Sequence, residues 1–163
     1  MTRINACTLE KLSDELVRTE IMEIGRLLHL VKKRLESENY NFDDVPDTYR
    51  LGTGHVKFFY NKLDYIINRI KALHAEYNRR TDHYIAQDKY KRELDIYTEI
   101  KEIATENNID ILNDWSMSES DEELFNKYMI NSKIPFYKRE HHYFKDIINT
   151  QEHCDLYRHS YDS

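Results

Sequence analysis

Three long stretches of the chain repeat apolar residues at helical spacing, and this periodicity constrains the fold more than any other sequence feature. Residues 14–37 place apolar side chains at steps of three, four and seven, with Ser13 or Asp14 as the expected N-cap. Residues 56–77 and residues 87–106 keep the same spacing. The pattern predicts three amphipathic helices, each with one buried face.

The segments between and after these helices complete an all-α prediction. Residues 39–52 lack a period and are expected to form a loop, whereas Ser120 and Glu123 form the pattern of a capping box that opens a shorter helix. The 163 residues include only three Gly and two Pro, which disfavours a turn-rich sheet protein. We expect one compact helical domain over residues 1–150 and a disordered tail over residues 151–163.

The charge is unevenly distributed. The formal net charge is −6, but residues 1–80 carry 14 Lys and Arg against 12 Asp and Glu, while residues 81–132 carry 5 against 13. After the acidic stretch, basic and aromatic side chains alternate over residues 133–145. One interpretation is that the aromatic side chains belong to the core. The other is that the segment contacts DNA, with its cations on phosphates and a ring stacked on an exposed base. The candidate DNA contacts there are Phe136, Tyr137, Lys138 and Arg139.

Several protein classes are excluded by what the sequence lacks. No apolar run approaches the ~20 residues of a membrane helix, and the N-terminus lacks the apolar stretch of a signal peptide. We therefore expect a cytoplasmic protein without membrane association. Cys7 and Cys154 give neither a disulfide framework nor zinc spacing. No GxxxxGK loop occurs. The histidine pairs His141–His142 and His153–His159 have no carboxylate or cysteine arrangement that would complete a metal site. We therefore predict no metal, no nucleotide and no other cofactor.

The N-terminus offers a candidate nucleophile. Loss of Met1 would expose the α-amine of Thr2, and α-amines titrate about 2.5 units below a lysine side chain. A neutral amine can attack a sugar carbon and form a Schiff base. Any chain that begins Met-Thr shares this feature, so the amine needs a supporting site.

The first predicted helix supplies charged residues for such a site. Glu20, Glu23 and Arg26 lie along one side of the helix, where Arg26 can pair with Glu23. A carboxylate can stabilise a developing positive charge while an arginine holds a phosphate. The same spacing also fits an ordinary solvated face with a weak ion pair.

A second pattern suggests a different chemistry. Arg50 and His55 have the spacing found in a large class of helical ribonucleases, but two glycines lie between them. A structural histidine at a loop-to-helix junction is the alternative interpretation.

Four stretches together resemble one protein family. In this order, residues 2–5, 20–26, 51–63 and 135–138 resemble the bacteriophage pyrimidine-dimer DNA glycosylases, historically called endonuclease V. The resemblance covers residues 1–80 well and residues 112–140 loosely.

The resemblance implies an all-α fold in which the N-terminal segment is threaded between helices. It further implies that a monomeric, cofactor-free, phage-encoded enzyme kinks damaged duplex DNA and expels a base. The Thr2 amine would attack the sugar C1′, Glu23 would stabilise the cationic sugar and Schiff base, and β-elimination would break the strand. Arg3 and Arg26 would hold the flanking phosphates.

The sequence departs from the family at expected DNA contacts. Ile21 and Met22 stand where the family has Tyr-Arg, Glu15 and Leu16 where it has Gln-His, and Gly25 where it has Pro. A glycosylase with abasic-site lyase activity is therefore a firmer expectation than the cyclobutane-dimer substrate. The alternatives are a non-catalytic helical relative that binds nucleic acid or protein, and the helical ribonuclease.

Overall fold

The computed structural model describes residues 4–81 and 87–130, and this part of the chain confirms the all-α prediction. It contains five α-helices and one short 3-10 helix, with no strand among the described residues. None of the described helices is long and apolar enough to cross a membrane. The boundary expected at residue 150 and the tail over residues 151–163 lie outside the described residues. The 3-10 helix is Leu9–Lys11, and the α-helices are α1 Asp14–Leu35, α2 His55–Phe58, α3 Leu63–Thr81, α4 Gln87–Glu106 and α5 Glu119–Ile130.

Helix α1 begins where the sequence predicts. Ser13 has extended backbone geometry, and its hydroxyl accepts a hydrogen bond from the Leu16 N–H at 3.1 Å. This bond satisfies one of the amide groups that a helix N-terminus leaves unpaired. Helix α1 packs against α3 and α4, so its apolar face forms the centre of the core. Its buried apolar residues are Leu16, Val17, Ile21, Ile24, Leu27, Leu28, Val31 and Leu35.

The single helix predicted over residues 56–77 is wrong, because the chain forms α2 and α3 with a break between them. The N–H groups of Phe59, Tyr60 and Lys62 bond to carbonyls three residues back, as in a 3-10 turn. Leu63 then donates its N–H to the carbonyl of Ile111 at 3.0 Å instead of continuing the earlier helix. Apolar spacing continues through the break, so periodicity alone cannot detect it.

The later helices agree with the sequence except at one cap. Helix α4 ends at Glu106, as predicted, two residues before Asn108, which has a φ of 54°. Helix α5 is capped by Ser118 rather than Ser120: the Ser118 hydroxyl accepts the Asp121 N–H at 3.2 Å, and the Asp121 carboxylate accepts the Ser118 N–H at 3.3 Å. The capping box therefore lies two residues earlier than predicted, with Asp in place of Glu123.

An aromatic cluster fixes the segment after α4 against α2 and α3. Trp115 stacks on Tyr49 with ring centroids 5.5 Å apart and contacts Phe58, Phe59 and Tyr65 edge-on. These contacts hold together parts of the chain that are distant in sequence.

Candidate functional site

The N-terminal segment is buried from its first described residue. Ile4 is fully buried and Asn5 is 3% exposed. The Ile4 N–H donates to Nε2 of His55 at 3.1 Å, and the Asn5 N–H donates to Oε1 of Glu20 at 2.6 Å. Side chains from α1 and α2 therefore hold two successive peptide units. Thr2 and Arg3 lie outside the described residues.

Glu20 and Arg69 form a buried ion pair beside this segment. Arg69 Nε lies 2.7 Å from Oε2 of Glu20, and a second guanidinium nitrogen donates to the Cys7 carbonyl at 2.6 Å. Burial opposes the charge on Arg69, but the nearby Glu20 carboxylate outweighs it and raises the pKa of Arg69. Both Glu20 oxygens are hydrogen-bonded, so Glu20 fixes the geometry of the segment.

His55 occupies the loop-to-helix junction predicted as an alternative to the ribonuclease site. Gly54, which precedes it, has a φ of 87°, a left-handed conformation that favours glycine. The His55 ring is buried, with Nδ1 2.9 Å from the Arg50 carbonyl and Nε2 accepting from Ile4. Because both ring nitrogens are engaged by backbone groups, His55 is not presented for the acid–base chemistry of a ribonuclease.

Glu23 and Arg26 lie on a more exposed side of α1 than Glu20 does. Glu23 is half-buried and lines a surface depression of about 580 Å³ together with Arg18 and Tyr77. Arg26 is exposed and lines a second depression of about 400 Å³. The Glu23–Arg26 pair that the sequence spacing allows does not form, because neither residue makes an ion pair within the described part of the chain. The side chain of Met22 lines both depressions and is 56% exposed.

A second buried carboxylate, Glu93, lines the depression beside Arg26. Glu93 is 3% exposed, and its Oε1 lies 2.6 Å from Nζ of Lys89 and against the backbone of Gly25. Its Oε2 has no hydrogen-bond partner within the described residues and lies 3.9 Å from Nε2 of His74. Burial raises the pKa of Glu93 despite the opposing Lys89 charge.

The sequence interpretation missed the buried roles of Glu20, Arg69 and Glu93. A signal for the first two was present, because Glu20 lies between the apolar positions Val17 and Ile24, and Arg69 follows Ile66 at helical spacing. Opposite charges on two apolar helix faces indicate a buried pair when the helices pack together.

The other sequence-predicted site residues lie outside the described residues. Phe136, Tyr137, Lys138 and Arg139 belong to this group, together with Thr2 and Arg3. In the described part, no group of three His, Cys, Asp or Glu residues could hold a metal ion.

The comparisons with known proteins place the chain in a family. No solved structure matches it. The family model for pyrimidine dimer DNA glycosylases matches residues 1–92, more than half of the 163 residues. The matched range includes the anchored N-terminal segment, Glu20, Glu23 and the whole of α1, α2 and α3. The chain therefore belongs to the pyrimidine dimer DNA glycosylase family.

Proposed function

We propose that this protein is a DNA-repair glycosylase with abasic-site lyase activity that uses the α-amine of Thr2 as its nucleophile. The observation that carries the proposal is the anchoring of Asn5 to Glu20, one helical turn before Glu23. Thr2 lies three residues before Asn5, and three extended residues reach at most about 10 Å. Glu23 lies three residues after Glu20, which is a rise of about 4.5 Å along α1. The Thr2 amine is therefore within chain reach of the Glu23 carboxylate.

The proposed reaction needs a neutral amine and a nearby negative charge. The amine nitrogen forms a bond to C1′ of the damaged nucleotide, and the N-glycosidic bond breaks with its electron pair leaving on the pyrimidine. The C1′–O4′ bond then breaks, and O4′ takes its electron pair and a proton, which gives a cationic Schiff base. Glu23 accepts a C2′ proton, and the 3′ phosphate leaves with the electron pair of its bond to C3′. Glu23 stabilises the positive charge on the sugar and Schiff base.

The proposed substrate is damaged duplex DNA, most simply a strand with a UV cyclobutane dimer. A lesion weakens base pairing, so extrusion of a base costs less there than in intact duplex. Arg26 is exposed beside the 400 Å³ depression, where it can hold a phosphate, and we assign the same role to Arg3. The residues Phe136, Tyr137, Lys138 and Arg139 are proposed to complete the DNA contact of a cytoplasmic monomer.

Borohydride trapping on duplex DNA with one abasic site tests the nucleophile. We expect a covalent adduct, and mass spectrometry of the protease-digested adduct should find the sugar remnant on the peptide that begins with Thr2. A variant with one extra N-terminal residue should give no adduct, since it moves the amine by about 3.8 Å. An adduct on Lys57 or Lys62 would contradict the N-terminal mechanism.

The role of Glu23 is tested by Glu23→Gln. The amide keeps the shape of the side chain but loses the charge, so we expect excision from UV-irradiated duplex to fall by about 10²–10³-fold, with folding and DNA affinity retained. Glu36→Gln is the matched control, because Glu36 is an exposed acid at the C-terminal end of α1 that lines neither depression. Equal excision by wild-type protein and Glu23→Gln would remove Glu23 from the mechanism.

The non-catalytic alternative is a relative that binds nucleic acid or protein without cleaving DNA. The acidic stretch over residues 81–132 favours the protein-binding form of this alternative, because it weakens nonspecific attraction to phosphates. The trapping assay separates the two proposals, since a binding protein gives no adduct with abasic DNA.

A further inference from the structure

We propose that His55 and Glu20 are positioning residues that hold the Thr2 amine at the reacting sugar, an inference that rests on the proposed function. Neither residue is assigned contact with the DNA. Each holds one peptide N–H of the segment that leads to Thr2, within three residues of the nucleophile.

Two hydrogen bonds from different helices restrict the segment more than one bond could. His55 begins α2 and holds the Ile4 N–H, while Glu20 on α1 holds the neighbouring Asn5 N–H. The two bonds restrain both the position of the segment and its rotation about its own axis. Together they fix the position and direction of the chain at Ile4, two residues from Thr2.

The His55 acceptor is itself rigidly held. Nδ1 lies 2.9 Å from the Arg50 carbonyl, so it donates there and leaves Nε2 free of a proton to accept from Ile4. The ring also packs edge-on against Tyr49 and Phe59, with centroid distances of 6.0 Å and 5.6 Å. The Arg50 carbonyl and the two aromatic rings hold the His55 ring in place, so the ring does not move with the N-terminal segment.

Arg69 fixes the second acceptor and also binds the segment. It donates to the Glu20 carboxylate and, at 2.6 Å, to the Cys7 carbonyl two residues after Asn5. One guanidinium therefore joins α3, α1 and the N-terminal segment. Because all these groups are buried, water does not readily replace any of the bonds.

Loss of this restraint should reduce the reaction rate more than it reduces DNA binding. Reacting atoms must be held close to the attack geometry, and a displacement of about 1 Å can cost 10²-fold in rate. The same segment has a second anchor farther from Thr2, where Arg80 donates to the carbonyls of Leu9 and Leu12 at 2.8 Å and 2.7 Å. A substitution of Arg80 is therefore a matched control, because it loosens the same segment at a point farther from Thr2.

The first experiment compares His55→Phe, His55→Gln and Arg80→Lys in single-turnover imine formation on saturating abasic duplex. His55→Phe keeps the ring volume but removes the acceptor, and we expect imine formation to slow on the order of 10²-fold with the DNA dissociation constant unchanged. His55→Gln supplies an amide acceptor and donor and should recover part of the rate. Arg80→Lys should lower the melting temperature while the rate per folded molecule stays at the wild-type value.

The second experiment needs no DNA and measures amide hydrogen exchange at Ile4 and Asn5 by NMR. Both amides should be protected in wild-type protein and in Arg80→Lys, and the Ile4 amide should lose protection in His55→Phe. Exchange at unfolded-chain rates in wild-type protein would overturn the inference whatever the activity. Equal imine rates in wild-type protein and His55→Phe would overturn it alone, whereas no imine in wild-type protein would overturn the proposed function and this inference together.

Discussion

Two buried carboxylates on opposite sides of α1 have very different environments. Glu20, on the side of the N-terminal segment and α3, is 1% exposed and bonds through both oxygens to Arg69 and the Asn5 N–H. Glu93, on the side of α4, is 3% exposed, and only its Oε1 is hydrogen-bonded within the described residues. Glu20 lies inside the family match, and Glu93 lies one residue beyond its end. The difference teaches that burial alone does not identify the carboxylate that fixes a site; complete hydrogen bonding does.

The largest effect on stability is expected from Glu20→Ala. The substitution leaves the Arg69 charge buried without its counter-ion, which costs about 3–5 kcal/mol in the free energy of unfolding. Urea denaturation followed by circular dichroism measures the loss. The reference variant Glu93→Ala should lose much less, and equal losses would contradict the comparison.

A double variant sharpens the same comparison. Glu20→Leu combined with Arg69→Leu replaces the ion pair with apolar packing, which recovers most of the stability lost by Glu20→Ala. It does not restore the acceptor for Asn5 or the donor to Cys7. We expect a folded protein that still forms the imine slowly, and rapid imine formation would contradict the positioning role of Glu20.

The next effect concerns Gly25, whose backbone lies against the Glu93 carboxylate. A Cβ at this position would overlap Oε1 of Glu93, so Gly25→Ala should cost about 1–3 kcal/mol by overpacking. In a Glu93→Ala background, the same change should instead stabilise the protein by up to about 1 kcal/mol, because alanine favours the helix. A double-mutant cycle from urea unfolding measures this coupling. Additive effects would mean that the two residues do not share this space.

A smaller effect is expected when Glu93 loses its charge. Burial raises the folded pKa of Glu93 above the ordinary 4.5, so the wild-type protein loses stability as the pH rises from 4.5 through the folded pKa. Glu93→Gln should therefore unfold at higher temperature than wild-type protein at pH 8, with the difference shrinking toward pH 4. The pKa of His74 is lowered by burial and by the Lys89 charge, so His74 acts in the opposite direction, but both proteins contain it. A wild-type advantage at pH 8 would show that Lys89 fully compensates the buried charge.

The smallest effect is expected at an exposed carboxylate. Hydrogen bonds from Arg34 and then Lys57 lower the pKa of Asp44 to about 2. The Asp44 interactions therefore stabilise the fold above about pH 4, and their contribution is lost as the pH falls toward 2. Because the side chain is 43% exposed, Asp44→Asn should cost less than about 1 kcal/mol at pH 7. Thermal unfolding from pH 7 to pH 2, with Asp43→Asn as the neighbouring control, checks this size and direction.

The sequence predicts those parts of the fold that depend on local spacing. The range of α1 and the C-terminal end of α4 follow from apolar periodicity, and the Ser13 cap follows from residue type. The break between α2 and α3 could not be predicted, because it depends on a bond from Leu63 to the distant Ile111 carbonyl. The Ser118 cap was missed because several serines near that helix could serve.

The candidate site divides in the same way. Sequence spacing identifies Glu23 and Arg26 as near neighbours on one helix, but it cannot exclude a pairing that the packed side chains do not make. The Glu20–Arg69 pair joins residues on two helices, and the His55–Ile4 bond joins a helix start to the N-terminal segment. Contacts of this kind depend on the tertiary arrangement, which a single sequence does not specify.

The stacking of Trp115 on Tyr49 also makes the protein its own optical probe. Trp115 is the single tryptophan of the chain, so intrinsic tryptophan fluorescence reports only on the aromatic cluster that joins the segment after α4 to α2. Circular dichroism, in contrast, averages over all helices. If the acidic later region detaches before α1 and α3 separate, the fluorescence transition will precede the loss of helical signal, whereas coincident curves will identify a single cooperative unit.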